Sequence, residues 1–216
     1  MDYRLEVFIK LADIFESHGY HLYLVGGSVR DYLLGLTLSD MDVVSDATPE
    51  EEKEFLEGAE YTFEKYGSVR FNFEGVKFDI TTLRQETGYK DSRHPTEVVF
   101  TDKLEVDVLR RDITINALYL SKDLKVIDLV NGQEDLKNKI IRMIGDPDKR
   151  FNEDPLRILR VLRFKIDFGF EIEKNTYKSL ENNISLIDLL NPEKVKQEVN
   201  KCSKPLELLT LLNELE

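Results

Sequence analysis

The segment that most constrains this chain is His21-Leu22-Tyr23-Leu24-Val25, which runs directly into Gly26-Gly27. The first five residues read as a short strand, and residues 28–35, closed by Gly35, read as a helix. A strand that becomes a helix through two glycines sets up a β–turn–α unit and a mixed α/β front to the molecule. Such a turn brings bare backbone N–H groups and the positive end of a helix to one point, an arrangement that suits a phosphate. Arg30 adds a charge-assisted contact. Taken alone, the same residues equally describe an ordinary tight turn.

The rest of the front follows the same alternation. Residues 2–18 carry apolar side chains at helical spacing, Met41 to Ser45 reads as a second strand, and Thr48-Pro49-Glu50-Glu51 opens another helix with a cap and a first-turn proline. Residues 68–73 and 76–83 alternate around Glu74-Gly75, a hairpin pattern. Residues 84–96 are polar, contain Gly88 and Pro95, and read as a flexible loop. Residues 117–121 and 125–129 read as a further strand pair. From about residue 133 the pattern is helical, strongest over 155–168, with breaks at Pro192 and Pro205. The expected fold class is α+β: a mixed sheet flanked by helices, then an all-α segment.

At 216 residues, the chain suits one large domain or two small ones. No apolar run approaches the roughly 18 residues of a membrane span, so no membrane partner is expected. The opening residues, with Glu6, Lys10 and Asp13, do not resemble a signal peptide. Cys202 is the single cysteine, which excludes an internal disulfide and a cysteine zinc cage and fits a cytoplasmic protein. The three histidines, His18, His21 and His94, lack metal-ligand spacing. Thirty basic against 42 acidic residues give a net charge of −12, which read as a whole argues against a nucleic-acid partner. The total is uneven, however. Residues 50–64 hold seven glutamates against Lys53, net −6, whereas residues 149–165 hold six basic side chains against Glu153 and Asp154, net +4.

Four further clusters could carry chemistry. Asp40-Met41-Asp42 starts a strand, so both carboxylates share one face; they are either solvated turn acids or ligands for Mg²⁺, which favours oxygen donors. Asp79, in Val76-Lys77-Phe78-Asp79-Ile80, is an acid opposite to apolar neighbours. It is an outward-facing polar residue, a further metal ligand, or a base for an attacking hydroxyl. Arg110-Arg111-Asp112 through Asn116-Ala117 offers planar guanidinium forks for phosphates, although Arg110 fits a surface ion pair better and Asp112 could simply pair with an arginine. Arg150 through Arg157, continuing to Arg160 and Arg163, opens a helix at Pro155. Asp154 and Arg157 sit three apart at its start, so an acceptor and donors stand side by side, the complement of a base edge. A salt-bridged helix in water gives the same pattern.

Together these segments resemble the class II tRNA nucleotidyltransferases, the CCA-adding enzymes and related bacterial poly(A) polymerases of the polymerase-β-like superfamily. The resemblance rests on Leu24 through Gly35, Asp40-Met41-Asp42, Arg110 through Ala117, Asp128-Leu129-Val130-Asn131-Gly132, and Glu153 through Arg157 with Arg160, Arg163 and Phe164. Asn131 stands where many members carry glycine. The resemblance implies a nucleotidyltransferase head over 1–138 and a helical neck over 139–216. It implies that Gly26, Gly27, Ser28 and Arg30 hold a triphosphate, and that Asp40 and Asp42 bind Mg²⁺ in a two-metal mechanism. It also implies that Asp79 is the third catalytic acid, as metal ligand or as base. Arg111, Asp112 and Asn116 contact the nucleotide, Asp154 and Arg157 read the base of CTP or ATP, and Arg160 and Arg163 support it. The implied reaction is attack of an RNA 3′-hydroxyl on the α-phosphate with release of pyrophosphate. Tyr89 and the loop around it resemble the element tied to A addition, so addition of C and/or A to tRNA, as full CCA or as the terminal A, is expected rather than addition of CC alone. Poly(A) addition, transfer to another acceptor, or a regulatory nucleotide-binding module are the alternatives. Typical members continue into body and tail domains. This sequence ends near the neck, which fits a minimal enzyme, a piece of a longer one, or a subunit whose RNA grip comes from a homodimer or partner subunit, and the expectation is weak RNA affinity for the monomer.

Overall fold

The computed structural model describes residues 2–89 and 95–215, except that the side chains of residues 89, 95 and 96 are not part of the description. In chain order the elements are α1 (Tyr3–Ser17), β1 (Leu22–Val25), α2 (Gly27–Leu33), β2 (Met41–Ser45), α3 (Pro49–Glu52), β3 (Glu60–Phe63), β4 (Ser68–Phe73), β5 (Val76–Thr82), β6 (Arg84–Tyr89), β7 (Pro95–Phe100), α4 (Leu104–Asp107), β8 (Tyr119–Leu120) and β9 (Val126–Ile127). There follow α5 (Gly132–Asn138), β10 (Ile140–Ile141), α6 (Pro147–Glu153), α7 (Leu156–Phe168), β11 (Glu171–Ile172), α8 (Lys174–Asn183), α9 (Pro192–Asn200) and α10 (Pro205–Leu215).

The chain divides into two compact units. The first comprises residues 1–86, 97–111 and 116–132; the second comprises 87–96, 112–115 and 133–216. In the first, seven strands form one sheet in the order β3-β4-β5-β2-β1-β8-β9. All of its pairings are antiparallel except β2 with β5, which run parallel. The core of this unit joins one stripe of α1, including Phe8, Leu11 and Phe15, to inward-facing sheet residues such as Leu24, Val43, Phe78 and Ile80. Burial of these side chains is the main force that holds α1 on the sheet. Asp2 caps α1, its carboxylate accepting from the Arg4 N–H. Thr48 and Glu51 form a reciprocal capping box on α3. Leu159 and Leu162 of α7 join Phe151 and Leu180 in one buried cluster of the second unit. Its α7 ends at Gly169, which adopts φ +65°.

Three expectations are corrected. Residues 84–96 are not all loop: β6 and β7 pair in a two-stranded sheet, and only 90–94, with His94, lie outside the described residues. The polar composition misleads because Arg84 and Glu86 alternate onto one face and pair with each other at 2.7 Å. The back half is not wholly α, since β10 and β11 form a two-residue parallel pair. Cys202, which falls within the stretch read as helical from about residue 133, lies buried in the connection after α9 instead. β3 was also not anticipated, because its residues Glu60-Tyr61-Thr62-Phe63 lack a clean alternation. Asn131 sits at φ +60°, a left-handed conformation that asparagine tolerates better than most residues, which explains how it occupies a glycine-type position. No helix among the described residues is long and apolar enough to cross a membrane.

Candidate active site

In the first unit the β1–α2 turn is built on Gly26, whose φ of +74° and ψ of −137° are open to glycine and strained for other residues. A Cβ added there would lie 4.0 Å from Asp42 Oδ2, so the turn and the acid stand side by side. Ser28, in the first turn of α2, donates to the Asp40 carbonyl at 2.6 Å and pins the entry into β2 to the glycine turn. Asp40 and Asp42 are exposed, while Met41 and Val43 between and beyond them face the core.

Strand register then extends this acid pair sideways. Asp42 is the partner of Asp79 across the parallel β2–β5 pair, Asp79 of Arg70 across β5–β4, and Arg70 of Glu60 across β4–β3. Partners in register project from the same face, so Glu60, Arg70, Asp79 and Asp42 make one charged row across four strands. The Arg70 Nε donates to Asp79 Oδ1 at 3.0 Å. Asp79 is exposed, and its neighbours Phe78 and Ile80 are buried.

The arginines of this unit are held internally. Arg30 is buried beneath Gly27, donating from Nη1 to Asn116 Oδ1 at 2.6 Å and from Nη2 to Asp31 at 2.7 Å. It therefore ties α2 to the segment at Asn116. Arg111 pairs with the buried Asp107 at 2.8 Å and lies over the Tyr119 ring, whose hydroxyl also donates to Asp107. Arg110 is not a surface residue: it pairs with Asp107 at 2.7 Å. Burial opposes the Asp107 charge, but the two guanidiniums and the Arg110 and Tyr119 hydrogen bonds outweigh it and hold the carboxyl down to about 2. Sequence reasoning missed Asp107, Glu86 and Tyr119; only Asp107 carried a signal, an acid three and four residues before two arginines.

In the second unit the Asp154 Oδ1 accepts from the Leu156 N–H, and its carbonyl accepts from the Arg157 N–H, so Asp154 caps the start of α7. Arg157 is buried against the Arg150 carbonyl at 2.8 Å and Glu153 at 3.2 Å. Arg160, partly exposed, pairs with buried Asp112 at 2.8 Å. Burial would raise the Asp112 carboxyl; the Arg160 charge reverses this and leaves it below the ordinary range. Arg163 pairs with Glu198 of α9 at 2.7 Å and Asp167 at 3.1 Å, and stacks on Phe164.

A mixed sheet whose β1 enters a glycine turn beside paired acids is the head of a polymerase-β-like nucleotidyltransferase, here followed by a helical unit. Residues 22–142 match the model of the poly(A) polymerase head domain, and the chain belongs to that family. It is 42% identical over 199 residues to the CCA-adding enzyme of Lactobacillus helveticus, a match covering 91% of this chain and 50% of that protein. The fold superimposes with a TM-score of 0.87 on the crystal structure of the Bacillus stearothermophilus CCA-adding enzyme in complex with CTP, at 31% identity over 97% of this chain and 52% of that one. The Thermotoga maritima CCA-adding enzyme complexed with tRNA aligns over all of this chain and 52% of its own, with a TM-score of 0.80 and 27% identity. The chain spans about half the length of the curated relatives it matches.

Proposed function

We propose that this chain is the catalytic portion, head over 1–138 and neck over 139–216, of a template-independent nucleotidyltransferase. It adds C and A from CTP and ATP to the 3′ end of tRNA and releases pyrophosphate. The observation that carries this reading is the juxtaposition of the Gly26 turn with Asp42, and of Asp42 with Asp79 in register.

Each group then has a task. Gly26, Gly27 and Ser28 present backbone at the entry to α2, where a triphosphate can approach without a side chain in the way. Asp40 and Asp42 offer exposed carboxylate oxygens, a hard donor set that fits Mg²⁺. Two carboxylates leave the rest of such an ion's shell to water and substrate phosphates. When bound, such an ion neutralises charge on the departing pyrophosphate and lowers the pKa of the attacking hydroxyl. Asp79 accepts the hydroxyl proton as the new P–O bond forms and the bond to pyrophosphate breaks. Asp154 and Arg157 at the start of α7 select the base, Arg157 turning toward it from its buried contacts with the Arg150 carbonyl and Glu153. Arg160 supports the nucleotide through its partly exposed guanidinium. Arg30, Asn116, Arg111, Asp112 and Arg163 act mainly by positioning, since each is engaged in a buried network.

The test is nucleotide transfer by the single variants D40A and D42A. Loss of transfer with an unchanged melting temperature supports the assignment; transfer that survives both changes overturns it. Addition of A alone is a second reading, favoured by the match to a poly(A) polymerase head, and product lengths with ATP alone distinguish it.

A further inference from the structure

The first unit carries an uncovered sheet edge at the other end of β2 from the acids. Asp40 and Asp42 stand at the start of that strand, whereas Asp46 follows its last residue. Asp46 lines a groove of about 490 Å³, together with the end of β7 and the segment that leads into α4. The β7 part of the lining is apolar: Val99 is 48% exposed and Phe100 37%. Successive strand residues face opposite ways, so neither face is fully covered at this end of β7. The Phe100 ring is nevertheless seated firmly. A Cβ on Gly67 would lie 2.7 Å from it, so the ring rests directly on that glycine. Val106 of α4 adds to the apolar lining.

The strand that carries these residues is an edge. β7 pairs with β6 alone in a two-stranded sheet, and no third strand among the described residues joins it. Such an edge offers main-chain donors and acceptors to an added strand, and a pocket beside it selects the side chains of that strand. Within the first unit the usable stretch is residues 97–100.

Charge decides what is added. The charged lining of the groove is Asp46, Glu51 and Asp102 against Lys103. Glu51 accepts from the Thr48 N–H, which holds its carboxyl below the ordinary range, so it stays ionised. Asp46 faces the exposed His21 at 2.7 Å. Glu97, two residues before Val99 and on the same strand face, is exposed as well. A second copy of this chain would bring the same acids to the edge, and like charges across a strand pair oppose the pairing. Lysine and arginine fit instead: their stems lie along apolar surface while their heads reach carboxylates. The open face of Phe100 also suits a cation.

We infer that the outer edge of β7 and this groove dock an extended, lysine- or arginine-rich segment of a partner protein, added as a strand beside residues 97–100. Docking there and nucleotide binding at the glycine turn use opposite ends of β2, so the inference stands apart from the proposed reaction.

The experiment uses the full chain and a short fluorescein-labelled peptide that alternates lysine with valine, with binding read by anisotropy. Two comparison peptides carry glutamate for lysine, or N-methyl groups on alternate amides, which block strand pairing and keep the charge. The variants are V99K and D102K, with melting temperature and CTP affinity measured in parallel. The wild type should bind the lysine peptide, bind the N-methylated one far more weakly, and leave the glutamate one unbound. V99K should weaken binding about tenfold or more, as loss of one buried valine does. D102K should weaken it several-fold and flatten its salt dependence. Asp102 is exposed, so D102K keeps the fold and remains decisive if V99K does not. CTP affinity should be unchanged in both. No binding by the wild type, equal binding of the N-methylated peptide, or equal binding by wild type, V99K and D102K overturns the inference. So does a dimer in light scattering that V99K dissolves, which would make the edge a contact between copies. Displacement of the peptide by an RNA hairpin would overturn it too, by marking a nucleic-acid surface.

Discussion

Replacing Glu52 by glutamine should make the protein more stable, and increasingly so as the pH rises. Glu52 closes the short helix α3 and is fully buried, and neither of its carboxylate oxygens has a hydrogen-bond partner. Burial, with a smaller push from Glu51, raises its pKa from 4.5 to about 8. The folded protein therefore keeps a proton that the unfolded chain releases, and stability falls as the pH climbs through that window. At about 1.4 kcal/mol per unit of pH, the loss is roughly 3 kcal/mol between pH 4.5 and pH 7, and the curve flattens above pH 8. Glutamine mimics the protonated acid and has no proton to lose, so its stability lacks this slope. The assay is urea unfolding of wild type and E52Q at pH 5, 6, 7 and 8, with the difference cancelling all other titrating groups. The two should be nearly equal at pH 5 and several kcal/mol apart at pH 8, with E52Q the more stable. Parallel curves, or a variant weaker throughout, would refute the reasoning.

Other perturbations separate position from chemistry. D107N strips the shared negative partner from buried Arg110 and Arg111 and should cost about 3–5 kcal/mol in denaturant unfolding. Because the folded carboxyl titrates at about 2 against 3.8 normally, its contribution is present above pH 4 and fades only as the pH falls toward 2, so the gap to wild type should stay constant from pH 8 to pH 4. G26A places a side chain on a φ of +74°; calorimetry should show a loss of about 1–3 kcal/mol, and transfer assays a higher KM for CTP. R163Q leaves the buried Glu198 short of its main partner. It should destabilise the second unit by roughly 3 kcal/mol while the KM for CTP stays unchanged, a pattern that direct contact between Arg163 and phosphate would not give.

Much of the architecture was legible because it rests on local patterns. β2 runs over Met41–Ser45 as read, α1 follows its apolar spacing, α3 starts at its Thr48 cap, and the β4–β5 hairpin turns at Glu74-Gly75. The acid positions were legible for a similar reason: Asp40 and Asp42 stand two apart at the start of a strand, and Asp79 interrupts an apolar rhythm. The arginines were not. Arg30 finds its partner 86 residues away at Asn116, and Arg163 finds Glu198 35 residues on, so residue type announced a guanidinium without saying which carboxylate or amide it serves. The charged row from Glu60 to Asp42 was hidden too, because it depends on the register of four strands, one of which, β3, has no clear pattern of its own. Glu52 looked like one more member of an acidic helix, and only its burial sets it apart.

The most direct test of the central claim is extension of tRNA transcripts ending before CCA, after C and after CC, read at single-nucleotide resolution. With CTP, ATP and Mg²⁺, the full chain should add the missing residues and stop at CCA, and D42A should add none. No extension by the wild type, unlimited A tails, or undiminished extension by D42A would contradict the account.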